Sequence, residues 1–259
     1  MRRLWLGVAL LGFPLGALAA DNPWVGTWKL DAAKSHFTGD TFTYSKGPNG
    51  LIHYSDGSTT QYDFGTDGKE YKTWAGRMTT WTAAGPTTWN TVTKQDGAVV
   101  YQTRRELSAD GKTLTLTTTS NKPDGSPVGE VAVYERVGKG TGLLGKWRST
   151  KTDIASPSAM VITAPSAGVL RLEYPGWKAV YEAKLDGSEF KPTGPTIPAN
   201  FTGSMKSASA TKVNYVYRLN GKPDGYGVMT VSADGKTLTD VSWNPGKESE
   251  KSTGYYVKQ

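Results

Sequence analysis

Ser108-Ala109-Asp110-Gly111-Lys112-Thr113-Leu114-Thr115 returns letter for letter as Ser232-Ala233-Asp234-Gly235-Lys236-Thr237-Leu238-Thr239, 124 positions later. Other landmarks recur in the same order at nearly that spacing. Trp24-Val-Gly26-Thr-Trp28 answers Leu143-Leu-Gly145-Lys-Trp147 at an offset of 119, and Tyr62 to Tyr71 answers Tyr181 to Phe190 at the same offset. The closing segments Ala132-Val-Tyr134 and Gly254-Tyr-Tyr256 stand 122 apart. Ordered recurrence over this length marks a duplicated domain rather than a chance likeness of turns.

Within each copy, period-two alternation dominates. In Thr113-Leu114-Thr115-Leu116-Thr117 the leucines share one face and the threonines the other, as in a strand with one dry side. Val131 to Val137 and Val213 to Leu219 follow the same pattern. Turn dipeptides separate the runs: Asp56-Gly57, Asp67-Gly68, Asp96-Gly97 and Asp110-Gly111 in the first copy, Asp186-Gly187, Asn220-Gly221 and Asp234-Gly235 in the second. Such pairs admit the left-handed backbone of tight hairpins. The spacing predicts eight to ten short strands per copy and almost no helix. A meander of that size removes its edges by closing, whereas two packed sheets would usually need crossovers between layers. The expected fold is all-β: two tandem up-and-down antiparallel β-barrels. The boundaries read as a leader at 1–20, a first barrel at 21–137, a glycine-rich linker at 138–142 and a second barrel at 143–259.

Arg2 and Arg3 before the apolar run Leu4 to Leu18, with Ala17-Leu-Ala19 behind it, form a secretory signal pattern. Export to a periplasm or the exterior is the expectation. No later stretch is long and apolar enough to span a bilayer. The chain of 259 residues contains no Cys, so the folded protein depends on its core and not on disulfides. The net charge of +7 falls to +5 once Arg2 and Arg3 leave with the signal. The remaining basic residues are dispersed, Arg104-Arg105 being the densest pair, and form no nucleic-acid footprint.

Gly26-Thr-Trp28 and its echo Gly145-Lys-Trp147 resemble the Gly-x-Trp signature of the calycin group, which includes lipocalins, fatty-acid-binding proteins and avidins. The opening Trp24 to Ser35 is similar to that of exported bacterial lipocalin-like proteins of unassigned function. The resemblance implies that each tryptophan closes the base of a barrel under a cation from the last strand: Arg136 in the first copy and Lys258 in the second.

Chemistry-bearing residues are sparse. The two histidines, His36 and His53, lie in the first copy and could form a metal site only with recruited carboxylates. No serine stands in a nucleophile elbow, and the glycine motifs are turns without a following helix. The expectation is therefore no catalytic residue, no metal and no cofactor. The richest feature is aromatic: Trp74, Trp81 and Trp89 fall within sixteen residues, followed by Tyr101. These rings either line a cavity or fill it. Lining would suit a small, mostly apolar or aromatic molecule, with His53 facing the same space. Filling would leave a structural or protein-interaction module of the cell envelope. The second copy has lost this aromatic stretch, so the first is expected to hold the ligand.

Overall fold

The computed structural model describes residues 22–155 and 159–259; the leader pattern at 1–20 lies outside them. The chain is all-β, with 64 % strand and 4 % helix, in two nearly closed ten-stranded antiparallel barrels. In chain order the strands are β1 (Gly26–Leu30), β2 (Thr41–Lys46), β3 (Ile52–Ser55), β4 (Gln61–Phe64), β5 (Asp67–Lys72), β6 (Met78–Gly85), β7 (Thr88–Gln95), β8 (Ala98–Leu107), β9 (Thr113–Asn121) and β10 (Pro127–Thr141). They continue as β11 (Leu144–Ile154), β12 (Ala159–Thr163), β13 (Val169–Tyr174), β14 (Ala179–Lys184), β15 (Asp186–Phe190), β16 (Phe201–Ser209), β17 (Lys212–Leu219), β18 (Lys222–Val231), β19 (Thr237–Trp243) and β20 (Ser252–Lys258).

The barrels run one strand out of phase with the sequence repeat. The first is ordered β4-β3-β2-β11-β10-β9-β8-β7-β6-β5, and the second β14-β13-β12-β1-β20-β19-β18-β17-β16-β15. Each copy thus gives its opening strand to the other's barrel. The boundaries expected at 137 and 143 are corrected accordingly: the first barrel is the continuous stretch β2 to β11, and the second is β12 to β20 completed by β1. The local cause is the joint between β10 and β11. Gly138 to Thr141 continue β10 rather than forming a linker, and Thr141 pairs with Leu144 across the Gly142-Leu143 turn. A hairpin that tight forces β11 back against β10. Residues 31–40 are long enough to carry the chain from β1 across to β2. On the way His36 bridges to Thr253 of β20.

The phase shift also exchanges the partners of the closing cations. Arg136 lies over Trp147, with its Cζ 4.2 Å from the ring centre, and Lys258 lies over Trp28 at 5.0 Å. The expected pairings, Arg136 with Trp28 and Lys258 with Trp147, are therefore crossed. Arg136 also donates to the carbonyls of Gly111, Leu144 and Gly142, whereas Lys258 donates to Pro23 at 3.3 Å. The glycine of each Gly-x-Trp makes room for the cation. A Cβ on Gly145 would stand 2.6 Å from the Arg136 guanidinium, and one on Gly26 2.6 Å from Lys258 Cε. Both glycines have positive φ, +143° and +148°, which reinforces the requirement.

The repeated octapeptide folds identically in both barrels. Ser108 and Ser232 each donate to the aspartate two residues on at 2.6 Å, and Gly111 and Gly235 take φ values of +70° and +68°. Each turn then receives the end of the closing strand: Arg136 N–H bonds Lys112 O, and Lys258 N–H bonds Lys236 O, both at 2.9 Å. The two barrel floors are therefore the same device built twice.

Candidate functional site

Alternation along the strands grades the first barrel's interior from apolar floor to polar mouth. At the floor, Trp147, Trp81, Phe64 and Leu114 are fully buried. Trp81 stacks on Phe64 with ring centres 4.0 Å apart, and Trp89 packs against the same cluster. One or two steps nearer the mouth the inward positions of β7 to β9 become Thr91, Thr93, Thr103 and Thr118, facing Tyr44, Tyr54 and Tyr62 of β2 to β4. These surround a cavity of about 760 Å³, within the range of small-molecule sites.

The cavity extends beyond the first barrel. Phe201, Tyr215, Tyr217, Ser242 and Trp243 of the second barrel also line it, so the two mouths open onto one shared space. Hydrogen bonds between the rims hold them together. Trp74 Nε1 donates to Asp224 Oδ1 at 3.1 Å, and Ser58 Oγ donates to Pro245 O at 2.7 Å. Thr41 N–H and Oγ1 donate to the Glu250 carboxylate at 2.8 and 2.9 Å, while Lys247 Nζ bonds both Thr41 Oγ1 and Glu250 at 2.9 Å. The turn at Pro175–Trp177 folds against the β9–β10 hairpin, where Asp124 N–H reaches Gly176 O at 3.4 Å.

Of the residues read as ligand-lining, Trp74 and Tyr101 line the cavity at its mouth. Trp81 and Trp89 belong to the floor, and His53 faces the other way. In β3 the inward residues are Ile52 and Tyr54, so His53 stands on the outer face, its Nδ1 2.7 Å from Asp63 Oδ1 on β4.

The residue that sequence reading passed over is Arg105. Taken with Arg104 it looks like a solvated pair, yet the strand period separates them. Arg105 is in phase with Tyr101, Thr103 and Leu107, while Arg104 points outward to Glu106. Arg105 lies on the cavity floor with its Cζ 4.3 Å from the Trp81 ring centre, and its Nη1 donates to Thr91 Oγ1 at 2.7 Å. Its Nε is buried without a hydrogen-bond partner, and among the described residues no carboxylate pairs with it. Burial pushes the Tyr44 phenol up, and the Arg105 charge beside it pulls part of the way back.

The acids around the cavity are already engaged. Asp40 accepts from Ser149 Oγ and from Tyr134 OH, and Asp56 from the backbone N–H groups of Ser58 and Thr60. Asp224 and Glu250 hold the rim bonds described above. Arg77, sandwiched 4.9 Å from Trp74 and 5.4 Å from Tyr101, donates to Gln95. The uncompensated charge of the first chamber is therefore positive. Among the described residues no three potential metal ligands come together, and no helix is long and apolar enough to cross a membrane.

Comparison with protein-family models, with curated proteins and with solved structures found no match to the chain.

Proposed function

We propose that the protein is a non-catalytic binder of a small amphipathic molecule, held in the shared cavity with an anionic end on Arg105 and a flat or apolar body against Tyr44, Tyr62 and Tyr101. The observation that carries this reading is the unpaired Arg105 guanidinium on a cavity floor. Burying a charge without a partner is costly, and an incoming carboxylate or sulfonate would supply both the charge and an acceptor for the Nε–H. The hydroxyl-rich walls favour a ligand with polar edges over the mostly apolar one expected from the tryptophans. Because the cavity acids are occupied by structural hydrogen bonds, they leave no evident acid and base pair for a reaction. The reading goes with the leader pattern of residues 1–20 and with the lipocalin-like Gly-x-Trp openings, and together they describe an exported carrier. Solid barrels acting as an envelope module would not need a cavity of this size.

The test is titration with 1-anilinonaphthalene-8-sulfonate, followed by fluorescence and by competition with decanoate and decanol. Saturable binding is expected, with decanoate displacing the dye and decanol doing so poorly. Arg105→Met, which installs the residue found at the equivalent place in the second barrel, should weaken the dye by about tenfold or more, or about 1.4 kcal/mol. Equal affinity in the variant, with an unchanged near-ultraviolet circular dichroism spectrum, would remove the anion site from the proposal.

A further inference from the structure

Aligned on the shared octapeptide, the two barrels carry opposite charges at one inward cross-strand pair. In the first, Arg105 of β8 stands opposite Leu116 of β9; in the second, Met229 of β18 stands opposite Asp240 of β19. The cation has been replaced by an apolar residue and the apolar residue by an acid. Asp240 follows Leu238 on the inward face and lies one step deeper than Ser242, which lines the shared cavity.

Tyrosines surround the carboxylate. Tyr215 OH donates to Asp240 Oδ1 at 2.8 Å. Tyr215, Tyr217, Tyr181 and Tyr174 then form a chain of rings with centres 5.0, 5.8 and 5.6 Å apart, and Tyr256 completes the wall from β20. Glycines hold the rings in place: a Cβ on Gly227 would come within 2.1 Å of the Tyr215 ring, and one on Gly254 within 2.9 Å of Tyr256. Asp240, Tyr174, Tyr181, Tyr217 and Tyr256 lie inside the barrel and keep partly accessible surface, and Tyr215, Tyr217 and Ser242 beside them line the shared cavity. Among the described residues no Lys, Arg or His is within ion-pair distance of Asp240.

We propose that the second-barrel end of the shared cavity is a binding site for an organic ammonium ion, its charge seated on Asp240 and its alkyl groups against the faces of Tyr174, Tyr217 and Tyr256. Ring faces attract cations and do not ligate metals. One carboxylate oxygen already accepts the Tyr215 proton. The other is left to receive a single point charge, which suits an ammonium better than a bidentate guanidinium. Asp240 and Arg105 lie in different barrels whose mouths open onto the same cavity, so each site is tested by its own variant.

Burial pushes the Asp240 carboxyl up to about 6, against the pull of the Tyr215 hydrogen bond, so the site is charged at neutral pH and loses its charge below that value. The neighbouring groups do not titrate in this range. Burial raises Tyr215 and Tyr217 on β17, Tyr174 on β13, Tyr181 on β14 and Tyr256 on β20, while Met229 and Gly254 flank the acid on β18 and β20. His36 reaches β20 through its backbone, and its ring lies outside against Thr38; Lys247 and Glu250 are paired with each other at the rim.

The experiment is calorimetric titration of the full chain with choline, phenethylammonium and tetramethylammonium, with 2-phenylethanol as the neutral counterpart. At about pH 7.5 at least one ammonium ion should bind saturably and the alcohol should not. Affinity should fall about tenfold at about pH 5, and by a similar factor in Asp240→Asn, while Arg105→Met binds as before. Asp240→Leu, which copies Leu116 of the first barrel, provides a second variant whose side chain this scaffold already accommodates. Absence of binding for all three ions at millimolar concentration would overturn the proposal. So would equal binding of the alcohol, or affinity indifferent both to pH and to the loss of the carboxylate. Failure of the sulfonate dye to bind would leave this site standing.

Discussion

Replacing Asp240 by Asn should stabilise the protein, and only where the wild-type acid is ionised. The carboxyl rises from an ordinary 3.8 to about 6 because burial penalises its charge. A group that holds its proton more tightly in the folded than in the unfolded chain makes stability fall as pH rises between those two values, and the loss is complete above the higher one. A shift of about two units at about 1.4 kcal/mol each corresponds to about 3 kcal/mol of destabilisation at neutral pH. Asn keeps an acceptor for the Tyr215 hydroxyl but brings an amide whose N–H groups lack a matching partner, which costs about 1 kcal/mol. The net gain at about pH 7.5 is then about 2 kcal/mol, or an increase of about 6 °C in melting temperature for a chain of this size. At about pH 4 the wild-type group is protonated and the gain should vanish. Calorimetric melts of both proteins at the two pH values measure the effect. A lower melting temperature for Asp240→Asn at neutral pH, or a gain of equal size at both, would refute the reasoning.

Glu250→Ala should loosen the contact between the rims, because it strands the Thr41 N–H and leaves Lys247 without its acid. With both ionic side chains only partly screened, the expected cost is about 1 to 2 kcal/mol, read as a lower urea midpoint. In the wild type, burial pushes Glu250 up, but hydrogen bonds from Lys247 and Thr41 outweigh it and hold the carboxyl below its ordinary 4.5. The contribution of that contact should therefore be fully present above about 4.5 and be lost as pH falls through the lowered value. Cutting the chain by its sequence repeat and by its barrels should give opposite results. A product ending at Gly142 lacks β11, exposes the edges of β2 and β10 and should aggregate. A product spanning 37–155 keeps all ten strands of the first barrel and should melt cooperatively; aggregation of that product would show that the second barrel is needed to hold the first.

The barrels themselves were legible because their signals are local. The Asp-Gly turns, the alternating Thr-Leu runs and the twin Gly-x-Trp openings each depend on a few neighbouring residues. The phase of strand exchange was not, since β1 and β11 carry the same pattern and either can complete either barrel. What decides between them is the length of the connections: a tight turn at Gly142-Leu143 against ten residues from Asp31 to Asp40. The tryptophans misled for a related reason. Strand period places Trp81 inside the barrel but cannot tell floor from wall, and depth follows from register across β4, β6 and β11. His53 could have been excluded from the cavity by its phase, because Ile52 and Tyr54 take the inward positions. Arg105 and Asp240 were within reach of the sequence as well. Arg105 shares the phase of Tyr101 and Thr103, and an acid replaces Leu116 at the first position after the shared octapeptide.

That replacement separates what the fold requires from what the chambers do. The floor tryptophan, the cation above it, the glycine beneath that cation and the serine–aspartate turn recur in both barrels, so the packing of the base has been retained through the duplication. Directly above this common base, one cross-strand pair reads Arg–Leu in the first barrel and Met–Asp in the second. Packing does not demand either charge, since each barrel shows that the scaffold holds an apolar residue at the other's charged position. The buried Asp240 charge also reduces stability unless something binds to it. Retaining an uncompensated cation in one chamber and an uncompensated anion in the next is accounted for if the copies share a scaffold and a mouth but receive ligand groups of opposite charge.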